Sequence, residues 1–130
     1  MLHLDTDFLV YALGARGPER AKLFALSESD AQLQISAIAW YEFSRGPRRP
    51  EQLAIGRSFF SPDGIIPFSE EIASKAAELF RTLGSPRKRA ADIAIASTAL
   101  ALGATLLTRN RRDFSDIPGL NLEIVSSDEE

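Results

Sequence analysis

The chain predicts an α/β fold, a short central parallel sheet of about five strands flanked by helices. Three observations carry that expectation. Strand-like runs over residues 2–5, 33–36, 64–68, 104–108 and 122–125 are short and mostly apolar on consecutive positions, which suits strands buried on both faces. Longer segments with helical spacing lie between them, the signature of crossover connections and a parallel sheet. Acids stand at the edges of the apolar segments, where open sheets of this class bind their ligands.

Taken in order, Leu2-His3-Leu4 forms a first strand that ends at Asp5, and a helix begins just after it near Thr6. Gly17-Pro18-Glu19 places proline in the first turn of a second helix, carried by Ala21, Phe24 and Ala25. After the second strand, Ser36 is suited to cap a helix bearing Ile38, Tyr41 and Glu42, and Gly46-Pro47-Arg48-Arg49-Pro50 must end it. Ser61-Pro62-Asp63-Gly64 reads as a turn into the third strand. Ser69 then caps a helix whose stripe is Ile72, Ala76, Leu79, Phe80 and Leu83, stopped at Gly84-Ser85-Pro86. Asp92 opens a small-residue helix with Ile93, Ala96, Leu100 and Leu102, stopped at Gly103 before the fourth strand. Residues 1–126 are expected to form one domain, and the acidic tail 127–130 is expected to be disordered.

Composition closes several alternatives. With 130 residues the chain can bury a substantial core without crosslinks, and with no cysteine it has no disulfide, zinc–thiolate or thiol-nucleophile chemistry. The N-terminus has no basic stretch leading into a long apolar run, and the most apolar segment, 90–104, is broken by Asp92 and too short for a bilayer, so a soluble cytoplasmic protein is expected. The formal charge is −3, but Asp128-Glu129-Glu130 holds three of the 18 acids, leaving the body neutral against 15 bases. Nine of those bases form three groups, Arg45/Arg48/Arg49, Arg87/Lys88/Arg89 and Arg109/Arg111/Arg112, each flanking an acidic position.

Those positions are Asp5, Glu42, Asp92 and Asp113. Converging carboxylates repel, so a cation must neutralise them, and oxygen-only donors favour Mg²⁺ or Mn²⁺. Ringed by Arg and Lys, such a cluster suits a phosphodiester: metal at the reacting phosphate, side chains on its neighbours. Plainer readings stand beside this one. Asp5 could cap the helix starting at Thr6, Asp92 could simply complement a helix dipole, and Glu42 could pair with Arg45 on the surface. Asp7 is expected to orient the ligating acids rather than to bind metal, and the lone His3, inside the first strand, to serve packing or surface. Trp40, Tyr41 and Phe43 are assigned to core or dimer contacts.

Leu4-Asp5-Thr6-Asp7, the run from Ser36 to Glu42, Asp92-Ile93-Ala94-Ile95-Ala96 and Thr108-Arg109-Asn110 followed by Asp113-Phe114 resemble, in that order, the motifs of the PIN-domain family, and in particular its VapC-like ribonuclease toxins of toxin–antitoxin pairs. The likeness covers nearly the whole chain. It implies a small parallel sheet wrapped by helices, commonly dimeric, with Asp5, Glu42 and Asp92 as metal-binding catalytic carboxylates and Thr6, Asp7 and Thr108 supporting them. Where the family often has an acid this chain has Asn110, so a fourth ligand would be Asn110 or Asp113. The expected activity is Mg²⁺- or Mn²⁺-dependent endoribonucleolytic cleavage of tRNA or another structured RNA, blocked by a separately encoded antitoxin. Arg109, Arg111, Arg112, Arg45 and Arg87 are the expected RNA contacts. Two other readings remain: a catalytically silent RNA-binding module, made plausible by Asn110, and an Asp-x-Asp phosphatase built on Asp5-Thr6-Asp7, in which Glu42 would have no role.

Overall fold

The computed structural model describes residues 1–14, 17–60 and 62–125. Five strands, β1 (Leu2–Leu4), β2 (Leu33–Ser36), β3 (Ile65–Ile66), β4 (Thr105–Thr108) and β5 (Asn121–Ile124), form one sheet in the order β3-β2-β1-β4-β5. Every pairing is parallel, with Leu4 opposite Ile35 on one side and Leu107 on the other. Helices α1 (Thr6–Gly14), α2 (Pro18–Ser27), α3 (Ala37–Ser44), α4 (Pro50–Ser58), α5 (Glu70–Thr82), α6 (Ala90–Ala101) and the single turn α7 (Arg111–Phe114) complete the chain. This is the architecture the sequence predicts.

Strands buried on both faces are what consecutive apolar residues require, and Leu4, Ile35, Leu106 and Leu107 are all fully buried. They join Phe8, Leu9, Phe43, Ile95 and Ala96 from three helices in a single core. His3 is packed inside the sheet too, its Nδ1 3.5 Å from Gln34 Oε1 on β2. Burial depresses its pKa to about 4, so it is neutral. Trp40 is half-buried and packs on the edge of the core, against Phe43 and Phe60, with ring centroids 5.5 and 6.4 Å away.

Helix ends follow local chemistry. Ser36 accepts from the Ile38 amide and Ser69 from that of Ile72, so both expected caps form. Gly84 and Gly103 take φ of +89° and +63°, and the amides after them, Ser85 and Ala104, reach back to Phe80 and Ala99, the paired bonds that close a helix through a left-handed residue. Gly64 is required by space: a Cβ there would stand 2.6 Å from the Phe60 carbonyl oxygen and 2.7 Å from that of Leu33.

Two expectations need correction. The third strand covers two residues rather than five, because Pro67 has no N–H to continue the ladder. α4 had no counterpart in the sequence reading; Gly56 in its interior lowers helix propensity but lets the backbone pack on the Phe43 ring, and packing decides. The tail 127–130 and Ser61 of the expected turn lie outside the described residues.

Candidate active site

Chain connections leave β1 in one direction through β2 to β3, and the chain later crosses back to place β4 on the other side of β1. The C-terminal ends of β1 and β4 therefore flank a reversal in strand order, the position at which open parallel sheets form a ligand crevice. Asp5 follows β1 there and Thr108 closes β4. The Asp5 amide donates to the Leu107 carbonyl at 3.0 Å, which pins the residue to the sheet edge.

The Asp5 side chain is 4% exposed and does not cap α1 in the usual way. Its Oδ1 accepts from the adjacent Thr6 amide at 2.8 Å, and its Oδ2 accepts from Thr108 Oγ1 at 2.8 Å. Thr108 Oγ1 in turn accepts from the Asn110 amide at 3.1 Å. On the other side, Thr6 Oγ1 donates to Glu42 Oε1 at 2.8 Å, so one threonine joins α1 to the half-buried acid on α3. Thr6 and Thr108, expected as supporting residues, thus touch the carboxylates directly. Asp7 accepts from Asn110 Nδ2 at 3.0 Å. That bond defines Asn110 as a donor to Asp7.

Asp92 lies half-buried in the first turn of α6, whose N-terminus faces the same sheet edge. Desolvation is the main reason its pKa rises to about 6; repulsion from Asp113, Glu42 and Asp7 adds to it, and Arg89 opposes it. Asp5 is pushed to about 7, again first by burial, with Asp7 and Asp92 adding and the bonds from Thr108 and Thr6 opposing. The five acids therefore share one electrostatic neighbourhood, although they come from four helices and a strand end.

Charge and donor type suit a hard divalent ion: every side chain in the set offers oxygen, and the mutual repulsion is what a cation would relieve. Among the described residues, however, no three His, Asp or Glu side chains already stand as a ligating set. The hydrogen bonds to Thr6, Thr108 and Asn110 hold the carboxylates on those partners instead of on a common point.

The basic residues divide into two groups. Arg45, Arg87, Arg111 and Arg112 are solvent-exposed in segments that border Glu42, Asp92 and Asp113. Arg109, expected to contact RNA, is instead part of the interior: its Nε donates to Glu19 Oε2 at 2.9 Å, the side chains are 8% and 3% exposed, and its guanidinium carbon stands 3.5 Å from the Tyr11 ring centroid. A guanidinium so committed anchors the loop after β4 to α2. Sequence reasoning missed Glu19, which it placed only at the start of the second helix. It also missed Arg89, whose Nη1 and Nη2 donate to Asp116 at 2.9 and 2.6 Å. Neither pairing has a local spacing that could have revealed it.

Comparison with known proteins agrees with this fold. Residues 2–120 match the family described as PIN domain. A curated relative, Ribonuclease VapC2 of Rickettsia felis, is 31% identical over 126 residues, covering 92% of this chain and 94% of that protein. A crystal structure of VapBC2 from Rickettsia felis bound to a DNA fragment from their promoter aligns with TM-score 0.74 and 28% identity over 97% of this chain and 100% of the other. A toxin–antitoxin complex from Klebsiella pneumoniae aligns with TM-score 0.72 and 29% identity over 92% and 95%.

Proposed function

This chain belongs to the PIN-domain family, and from that premise we propose that it is a Mg²⁺- or Mn²⁺-dependent endoribonuclease, the cytoplasmic toxin of a toxin–antitoxin pair. The observation that carries the reading is the shared electrostatic site of Asp5, Glu42, Asp92 and Asp113, with Asp5 almost wholly buried beside Thr108 at the reversal in strand order. Four mutually repelling acids in a partly desolvated crevice destabilise the fold, and such an arrangement is explained by a bound cation. The names of the relatives add ribonuclease activity and an antitoxin partner to the proposal. Among the described residues no helix is long and apolar enough to cross a membrane.

Asp5, Glu42 and Asp92 would hold the ion, with Asp113 the fourth donor. A bound divalent ion lowers the pKa of water and stabilises charge on the phosphate and the leaving oxygen. The protein's own residues supply orientation. Thr108 and the Thr6 amide hold the two oxygens of Asp5, and the Thr6 hydroxyl holds Glu42. Asn110 keeps Asp7 turned along the loop after β4. Arg45, Arg87, Arg111 and Arg112 would contact phosphates flanking the cleaved bond, and no covalent protein intermediate is needed. A homodimer is proposed on family grounds.

The Asn110–Asp7 bond favours one competing reading, a silent RNA-binding module, since it occupies an acid that could otherwise face the ion. The phosphatase reading is less supported, because Glu42 is built into the site through Thr6. Incubation of bulk cellular RNA with the protein, in Mg²⁺, Mn²⁺ or chelator, beside Asp5→Asn and Asp92→Asn, decides among them. Discrete metal-dependent fragments lost in both variants support the nuclease. Tight binding without cleavage supports the silent module, and phosphate release from a small monoester the phosphatase.

A further inference from the structure

Arg89 sits immediately before α6, three residues ahead of Asp92. Its guanidinium grips Asp116 with both terminal nitrogens, and Nη2 also donates to the main-chain carbonyl of Asp113 at 2.9 Å. These bonds join the start of α6 to the turn α7 and the residues after it. An isolated exposed ion pair would contribute little, but a two-pronged Arg–carboxylate contact with a third bond to backbone sets a direction as well as an energy. The Nε of Arg89 is buried with no hydrogen-bond partner among the described residues, a cost set against the three bonds that the terminal nitrogens make.

What the grip holds is a four-residue helix. So short a helix has almost no stability of its own, and the Asp113 amide reaches Asn110 only at 3.3 Å. The direction of the Asp113 side chain therefore depends on contacts from outside the turn. Arg89 supplies one at the carbonyl of Asp113 itself and another one turn on, at Asp116. Asp116 also balances part of the guanidinium charge, which interacts with Asp92 and Asp113 as well.

We propose that Arg89 is a positioning residue for the acidic site: clamped by Asp116, it holds the α7 turn so that the Asp113 carboxylate faces Asp92. This rests on the metal-dependent reading above, and it distinguishes a clamp from a mere nearby charge by sign. If Arg89 acted only as a positive charge, removing it would tighten cation binding. As a clamp, its loss weakens binding even though the site becomes more negative.

The test uses the purified chain with Arg89→Gln, Arg89→Lys, Asp116→Asn and, as a control on a separate half-buried pair, Glu123→Gln, which removes the charge facing Lys22. Mn²⁺ binding is measured by calorimetry, and backbone amide exchange at Asp113 and Ser115 by mass spectrometry or NMR. Arg89→Gln, Arg89→Lys and Asp116→Asn should each weaken Mn²⁺ binding about tenfold, the scale of losing a group that orients a ligand, and speed exchange at both amides. Glu123→Gln should change neither. Lysine keeps the charge but not the fork, so Arg89→Lys should behave like Arg89→Gln. Equal or tighter Mn²⁺ binding by Arg89→Gln overturns the clamp and leaves the metal reading standing. Should the parent chain take up no Mn²⁺, the metal reading fails, and the clamp is judged on exchange alone, where unchanged rates at Asp113 and Ser115 refute it.

Discussion

Replacing Asp5 by asparagine should make the metal-free protein more stable at alkaline pH while abolishing RNA cleavage. The carboxyl titrates near 7 in the folded chain against 3.8 as its ordinary value, chiefly because it is buried. A group whose pKa is raised by folding holds its full stabilising share below the unfolded value and loses it as pH rises through the folded one. Holding Asp5 ionised at pH 8 therefore costs up to about 4 kcal/mol, at roughly 1.36 kcal/mol per unit of pKa. Asparagine removes that cost but presents one acceptor where Asp5 presents two, so the bond from Thr108 or from the Thr6 amide is lost, at about 1–3 kcal/mol. The net expectation at pH 8 is a gain of about 1–3 kcal/mol, or a melting temperature higher by roughly 5–10 °C. From pH 8 to pH 5 the advantage should shrink by about 3 kcal/mol, because Asp5 then folds protonated. Urea unfolding of both proteins at the two pH values in chelator measures this, and adding Mg²⁺ should narrow the gap by stabilising the parent alone. An Asp5→Asn protein that is no more stable at pH 8, or whose difference from the parent ignores pH, would refute burial of charge as the dominant cost.

Asn110→Asp should lose the bond to Asp7 and set like charges about 3 Å apart, lowering metal-free stability by about 1 kcal/mol at low salt and tightening Mn²⁺ binding; denaturation and calorimetry check the two signs. Gly64→Ala, whose Cβ would meet two backbone oxygens that cannot step aside, should cost about 2–4 kcal/mol in urea unfolding without changing cleavage per folded molecule. Arg87→Ala and Arg112→Ala should each leave stability within about 0.5 kcal/mol and lower the salt slope of RNA binding by about 1, whereas Arg109→Ala should cost about 3–5 kcal/mol by breaking its buried pair with Glu19. Filter binding across a salt series, with unfolding curves on the same proteins, separates the two groups.

Periodicity reveals what is local. The five strands, the caps at Ser36 and Ser69 and the stops at Gly84 and Gly103 were legible because each depends on residues within a few positions of one another. The clustering of acids at one sheet edge was legible for the same reason: acids at strand ends and on first turns carry their own signal. Glu19 with Arg109 and Arg89 with Asp116 were not, since those pairs are set by how helices pack and are separated by 90 and 27 residues. Arg109 was misassigned because a run of arginines beside an acid does not say which of them turns inward. α4 escaped notice because its glycine is a packing adaptation, invisible without the Phe43 ring it accommodates.

The order of strands also has a consequence for biosynthesis. Asp5 leaves the ribosome well before the residue that holds it, since that hydroxyl belongs to Thr108, 103 positions later, and β1 stays unpaired on one side until β4 has been made. At the usual rate of elongation of about 5–20 residues per second, the nascent chain spends about 1–3 s with Asp5, Glu42 and Asp92 already translated but the crevice unbuilt. A chain that stalls or is cleaved before β4 carries the three principal acids and cannot assemble them. For a protein that would cut the RNA of the cell making it, such a topology delays the hazard until β4 has been made.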